Sequence, residues 1–169
     1  MLLDNVVGHT AVCSALASAV ASERVNHAYL FTGPSAVGKF IVARTLAASI
    51  LCPRGGCGEC NTCRRVMEEK HPDLMVLRPA GKNIPVDAIR ALRMDAFKKP
   101  SESERKVYII KSADRMWEEG ASTLLKVLEE PPGDIVFILV TASVGSVLPT
   151  IRSRCQEVTF SHIPLDELK

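Results

Sequence analysis

The chain has 169 residues, 47% of them hydrophobic and 24% charged, with a formal net charge of +2. That size and balance suit one globular domain able to bury its own core, and they exclude a disordered or fibrous chain. A charge so near zero offers no compositional argument for nucleic-acid binding, although a local basic patch stays open. No apolar run approaches the length of a membrane span, and the start Met-Leu-Leu-Asp-Asn-Val lacks the basic region and long apolar stretch of a signal peptide. The expectation is a cytoplasmic chain whose six cysteines are thiols or metal ligands rather than disulfides.

Along the chain, an alanine-rich segment at 11–22 carries Val12, Leu16 and Val20 at helical spacing. Cys13 falls within it and reads as a small buried hydrophobe. A short apolar run at 29–31 leads into a glycine loop, followed by a helical pattern over 41–51. Further apolar runs lie at 74–77, 107–110 and 135–140, the last two near-continuous and β-branched, as in strands covered on both faces. Helical patterns at 86–97 and 117–128 separate them, the second halted by Pro131 and Pro132. Residues 98–106, Lys-Lys-Pro-Ser-Glu-Ser-Glu-Arg-Lys, read as a solvated connection. Strands alternating with helices predict a three-layer α/β domain with a mainly parallel sheet.

The glycine loop is Gly33-Pro34-Ser35-Ala36-Val37-Gly38-Lys39-Phe40. It fits G-x-x-x-x-G-K-[ST] up to its last position: the amides of such a loop cradle phosphates, its lysine reaches the terminal phosphates, and its final hydroxyl ligates Mg²⁺. Phe40 has no hydroxyl. Its context of strand, loop and helix makes the match credible. An ATPase also needs a carboxylate at the end of a neighbouring strand. Here Lys111-Ser112 follow one run and Thr141-Ala142-Ser143 another, so neither ends in an acid. Lys111 would set a positive charge where the metal belongs, and two positive species repel. Asp114 is the nearest acid, either a rescue ligand acting through water or a cap on the following helix. The expectation is a lost Mg²⁺ site, no hydrolysis, and weak ATP or ADP binding through Lys39 and the loop amides.

Four cysteines, Cys52, Cys57, Cys60 and Cys63, are spaced C-x4-C-x2-C-x2-C in a glycine-containing segment, which allows four thiolates to converge on a structural Zn²⁺. An iron–sulfur cluster is the rival, but a ferredoxin run needs its Cys-Pro downstream, whereas Cys52-Pro53 lies upstream. A site closed by four thiolates has no open position for catalysis and is expected to staple its loop.

The modified phosphate loop, the cysteine insertion directly after its helix, Leu124-Leu125-Lys126-Val127-Leu128-Glu129-Glu130-Pro131-Pro132, and then Ser153-Arg154-Cys155 stand in one order. In that order the chain resembles the AAA+ clamp-loader subunits of bacterial DNA polymerase III over nearly its whole length, with the delta-prime branch nearest in pattern. The resemblance implies a three-layer AAA+ domain over 1–169 with a zinc-binding insertion at 52–63, ending where a small helical lid would begin. It implies a machine that opens a ring-shaped sliding clamp and places it on primed DNA, with gamma/tau motor and delta subunits as partners. In the motor subunits Asp-Glu stand where this chain has Lys111-Ser112, and a threonine stands at Phe40; delta-prime-like members are those expected to lack hydrolysis. Thr141 matches the family's sensor position, with a residual structural role expected.

Arg154 matches the arginine that the family projects into a neighbour's ATP site, where a guanidinium stabilises charge on the transferred phosphoryl group. A solvated or ion-paired arginine is the alternative, and Arg152 reads as surface. Glu129 and Glu130 put negative charge at a helix C-terminus, where the macrodipole disfavours it, so pairing with a basic neighbouring subunit or plain solvation is expected. Arg90, Arg93, Lys98 and Lys99 correspond to an element that tracks DNA in related loaders, or form a solvated charged face. Two other readings remain at this point: an active motor, and a zinc-stapled interaction module without a role in ATP chemistry.

Overall fold

The computed structural model describes residues 1–168. Five parallel strands, β1 (Ala28–Thr32), β2 (Leu74–Leu77), β3 (Lys106–Lys111), β4 (Ile135–Thr141) and β5 (Gln156–Thr159), form one sheet in the order β2-β3-β4-β1-β5. The helices are α1 (Thr10–Ala21), α2 (Lys39–Leu51), α3 (Asn61–Met67), α4 (Val86–Ala96), α5 (Glu118–Glu129) and the single turn α6 (Pro149–Arg152). Alternation along the strands divides the core in two. Tyr29, Phe31, Ile109 and Ile138 pack with Leu16, Leu46 and Val66 of α1, α2 and α3. Leu30, Tyr108, Phe137 and Leu139 pack with Ile89, Leu92 and Leu124 of α4 and α5. Both faces are covered, which is why β1, β3 and β4 read as unbroken apolar runs. The expected three-layer α/β architecture is what forms.

Register brings the strand ends together on one edge of the sheet. Thr32 pairs with Thr141, Lys111 with Val140, and Leu77 with Ile110. The loop that follows β1 therefore faces the residues just beyond β2, β3 and β4, the position where open α/β sheets bind ligands.

Three elements escaped the periodicity. α6 is four residues long, and β5 is Gln-Glu-Val-Thr, largely exposed and too polar to read as a strand until it pairs with β1. α3 begins at Asn61 inside the cysteine segment and runs past its last cysteine to Met67. The reading of 98–106 as a solvated connection holds for Lys98, Lys99, Ser101, Glu102 and Glu104, which are exposed, and is corrected at its end: Lys106 is only 4% exposed, and its ammonium lies 2.9 Å from the Asp95 carboxylate and donates to the Asp95 carbonyl. Beneath the loop, the buried Asp73 carboxylate accepts the backbone N–H groups of Ser101, Glu102 and Ser103 at 2.6, 2.9 and 2.7 Å. A charged string looks solvated in sequence because the acceptors that tie it down lie outside it, Asp95 eleven residues from Lys106 and Asp73 30 residues from Ser103.

Candidate functional site

Gly33 opens the phosphate loop where β1 and the chain after β5 run together. Its φ is +138°, and a Cβ there would meet the Phe160 carbonyl oxygen at 2.3 Å, so a side chain is excluded on both counts. His9, just before α1, braces the loop from outside through Nε2, 2.7 Å from the Val37 carbonyl it donates to. Ala36 holds φ +61°, a strained value for a residue with a Cβ. Within the described residues, none of the N–H groups of Ser35 to Gly38 has a hydrogen-bond partner. Lys39, the first residue of α2, is 6% exposed and donates to the Gly33 carbonyl at 2.7 Å and to that of Pro34. Burial lowers its pKa. The loop opens on a cleft of about 840 Å³ whose lining includes Val6, Val7, Lys39, Phe40, Lys111 and Ile163.

Phe40 does more than lack a hydroxyl. Its half-buried ring carries three cations: the Lys111 ammonium 4.6 Å from the centroid, and the Arg44 and Arg78 guanidiniums at 5.1 and 5.7 Å. Arg78 pairs with Glu69 at 2.6 Å, and Arg44 donates to the Met67 carbonyl at 2.9 Å. Mg²⁺ takes oxygen ligands in near-ideal octahedral geometry, and here an aromatic face and an ammonium occupy the positions that would supply them. The residues present do not fit that ion. Sequence reading found Phe40 and Lys111 but missed Arg44 and Arg78. For Arg78 the available signal was the residue after the 74–77 run, which the sheet register sets level with Lys111.

Asp114 sits in a short 3₁₀ turn after β3 and accepts the Thr141 hydroxyl at 2.7 Å; Thr141 in turn accepts the Ser143 N–H at 3.0 Å. Asp114 is therefore not a cap on α5, whose N-cap is Trp117. The buried Thr141 hydroxyl ties the ends of β3 and β4 to each other.

The four cysteines meet. All the Sγ atoms of Cys52, Cys57, Cys60 and Cys63 lie within 4.8 Å of one another, with Cys52 at 3.9 Å from Cys57 and 3.7 Å from Cys60. Tetrahedral zinc with Zn–S bonds of about 2.3 Å requires S···S edges of about 3.8 Å, so the set could hold a metal ion such as zinc. Backbone N–H groups of Arg54, Cys63 and Gly58 point at Cys52, Cys60 and Cys63 respectively, each at 3.4 Å. Burial opposes charge on Cys52, yet the N–H groups of Cys57, Gly56 and Arg54 outweigh it and bring the thiol down to about 6. Burial pushes Cys63 up to about 12. Gly56 is needed where the loop crosses α2, since a Cβ would stand 2.5 Å from Ser49 Oγ.

Arg154 lies in the turn between α6 and β5. Its guanidinium pairs with Glu129 at 2.8 Å and donates to the Thr150 carbonyl at 2.8 Å, and the arginine side chain stays 36% exposed. The expectation that Glu129 would seek a basic group on a neighbour or rest in solvent is corrected: its cation comes from its own chain, since the turn before β5 passes the C-terminus of α5. Arg152 pairs with Glu157 at 3.4 Å. On α4, Arg90 is already engaged by Asp87 and Glu119, whereas Arg93, Lys98 and Lys99 are exposed and make no ion pair among the described residues. Met94 and Phe97, 71% and 67% exposed, share that surface.

A parallel sheet in this strand order, with a phosphate-type loop after β1, has the architecture of an AAA+ domain. RuvB of Thermotoga maritima, in its T158V form, superposes with a TM-score of 0.70 over 99% of this chain and 52% of that one; at 16% identity this speaks to the fold alone. The family described as DNA polymerase III, delta subunit, matches residues 8–164, and the chain belongs to it. DNA polymerase III subunit delta' of Bacillus subtilis is 40% identical over 152 residues, 88% of this chain and 46% of the relative. The gamma/tau subunit of Mycobacterium bovis is 38% identical over 164 residues, 94% of this chain and 28% of the relative. The chain thus spans less than half the length of these two relatives. No described helix is long and apolar enough to cross a membrane.

Proposed function

We propose that this chain is the AAA+ domain of a non-hydrolysing clamp-loader subunit, acting in the cytoplasm, which helps load the sliding clamp onto primed DNA. The observation that carries the reading is the meeting of Phe40 and Lys111, 4.6 Å apart, where a motor subunit would hold its metal. Two independent stretches of sequence have changed, and both changes fall at one point of the fold. Against rescue by Asp114 stands the engagement of its Oδ1 by the Thr141 hydroxyl. Nucleotide held by the loop would be bound passively, its phosphates meeting the free amides of Ser35 to Gly38 and its polar end approaching Lys39 and Lys111.

In this reading the chain's contribution to chemistry is Arg154, directed into the ATP site of an adjoining gamma/tau-type subunit. A guanidinium there would stabilise charge on the transferring phosphoryl group, and arginine fingers in GTPases change rates by about 10³ to 10⁵. In the free chain Glu129 holds that guanidinium, so docking exchanges a carboxylate for phosphate oxygens. Zinc on Cys52, Cys57, Cys60 and Cys63 would be structural. Partners are gamma/tau and delta subunits, with the clamp and primed DNA met through the assembly; exposed Arg93, Lys98 and Lys99 suit sequence-independent contact with the DNA backbone.

Replacing Arg154 by Ala in the full-length protein, assembled with its motor and delta partners, tests the finger. The pair with Glu129 is half-exposed and worth at most about 1 kcal/mol, so folding and assembly are retained. Clamp- and DNA-stimulated ATP turnover by the neighbour falls at least tenfold. Unchanged turnover in an intact assembly removes the finger. Separately, Mg²⁺-dependent turnover by the full-length chain alone, abolished by Lys39→Ala, would falsify the non-hydrolysing assignment.

A further inference from the structure

We propose that Lys111, seated on the Phe40 ring at the mouth of the phosphate loop, takes the place of the divalent cation, so that the cleft binds a nucleoside polyphosphate free of Mg²⁺. This rests on the reading that the cleft holds nucleotide, and it names the form of the ligand.

Three cations share the Phe40 ring, but they are not equivalent. Arg78 is neutralised by Glu69 at 2.6 Å, and Arg44 lies 3.9 Å from the same carboxylate while donating to the Met67 carbonyl. Lys111 has no carboxylate within 4.0 Å among the described residues, is exposed, and lines the cleft. An ammonium over an aromatic face is held by the ring quadrupole without losing its charge, so the ring positions Lys111 and leaves its attraction for anions intact. Strand register fixes the lysine from the other side: it pairs with Val140, one residue before the Thr141 that is level with Thr32, where β1 hands over to the loop.

Electrostatics then decides between ligands. The unpartnered amides of Ser35 to Gly38 and the N-terminus of the thirteen-residue α2 attract negative charge. A bare polyphosphate meets those groups together with Lys111 and gains from each. A polyphosphate carrying Mg²⁺ brings a dication toward a fixed ammonium and finds no oxygen ligand at Phe40, so it loses what the bare anion gains. The apolar lining supplied by Val6, Val7 and Ile163 is indifferent to the metal and would serve the base in either case. A tethered cation in place of a diffusible one also suits a subunit that holds nucleotide without turning it over.

The test is direct binding of ATP and ADP to the full-length protein by calorimetry, in EDTA and in excess Mg²⁺, for the wild type, Lys111→Met and Lys111→Gln. The expected result is binding in EDTA that excess Mg²⁺ leaves unchanged or weakens severalfold, because the ion withdraws free polyphosphate into its own complex. Both Lys111 variants are expected to weaken binding in EDTA at least tenfold with an unchanged unfolding midpoint, since the residue is exposed. Binding that tightens with Mg²⁺, or that is indifferent to both variants, overturns this inference and leaves nucleotide occupancy standing. Absence of binding in every condition overturns nucleotide occupancy of the cleft, and this inference with it, without touching the role of Arg154.

Discussion

Loss of one thiolate from the cysteine site should lower the stability of the whole domain by an amount that can be worked from its position. Cys60→Ser leaves three sulfurs and frees the twelve-residue segment 52–63, which a metal would close into a loop. Treated as a cross-link on the unfolded chain, a loop of that length contributes about 3 kcal/mol. The consequence extends beyond the loop, because Leu2 donates its N–H to the Gly56 carbonyl at 2.9 Å, while Cys52 and Cys63 lie in the same core as Leu3 and Leu46. For a domain of this size about 2–4 °C of melting temperature accompanies each kcal/mol, so a fall of about 6–12 °C is expected. Thermal unfolding followed by circular dichroism, with metal content measured on the same samples, is the assay. A strong chelator should reproduce the shift in the wild type and have little effect on the variant. A wild-type protein that contains no metal, shows four freely reactive thiols in this segment and melts at the same temperature as Cys60→Ser would refute the reasoning; iron in place of zinc would refute the choice of metal.

Two further substitutions follow from the buried charges and from the altered loop. Asp73→Asn removes the charge that receives three backbone N–H groups and should cost about 2–4 kcal/mol at neutral pH, read as a shift in urea midpoint. Burial works against the Asp73 carboxylate, but the N–H groups of Ser101, Glu102 and Ser103 prevail and hold its pKa below the usual value. A depressed folded-state pKa gives stability that is complete above the ordinary carboxyl range and is lost as pH falls through the folded value, so the difference between wild type and variant should narrow below about pH 4. A difference independent of pH would assign the effect to packing. Phe40→Thr alone should produce no Mg²⁺-dependent phosphate release, because Lys111 still stands at the strand end; release above background in the single variant would show that the lysine does not block the site.

Much of this arrangement is legible in the sequence. Apolar runs bounded by turn residues located β1 to β4, and the cysteine spacing selected four thiols whose sulfurs the fold brings within 4.8 Å of one another. These features are local, set by periodicity of two or of 3.6 residues and by short-range loop geometry. β5 was not legible, because Gln156 to Thr159 become a strand only through hydrogen bonds to β1 more than a hundred residues away. Separations of roughly 25 to 30 residues likewise hid the partners of polar groups: Asp73 for the 101–103 amides, Asp114 for Thr141, and Glu129 for Arg154. Coulombic and hydrogen-bond partners are chosen by whichever elements happen to pack, and no spacing rule encodes them.

By itself the sequence determined that a phosphate loop is present, that its metal-binding hydroxyl is gone, and that no acid follows the apolar runs at 107–110 and 135–140. Only the tertiary structure decided that these losses are one event in space. Parallel register carries Lys111 onto the Phe40 ring, with Arg44 and Arg78 beside it, so positive charge rather than an oxygen ligand stands where the loop meets the strand end. The physical reason is that a sheet aligns the ends of strands far apart in the chain, and the charge at that edge is a sum over all of them.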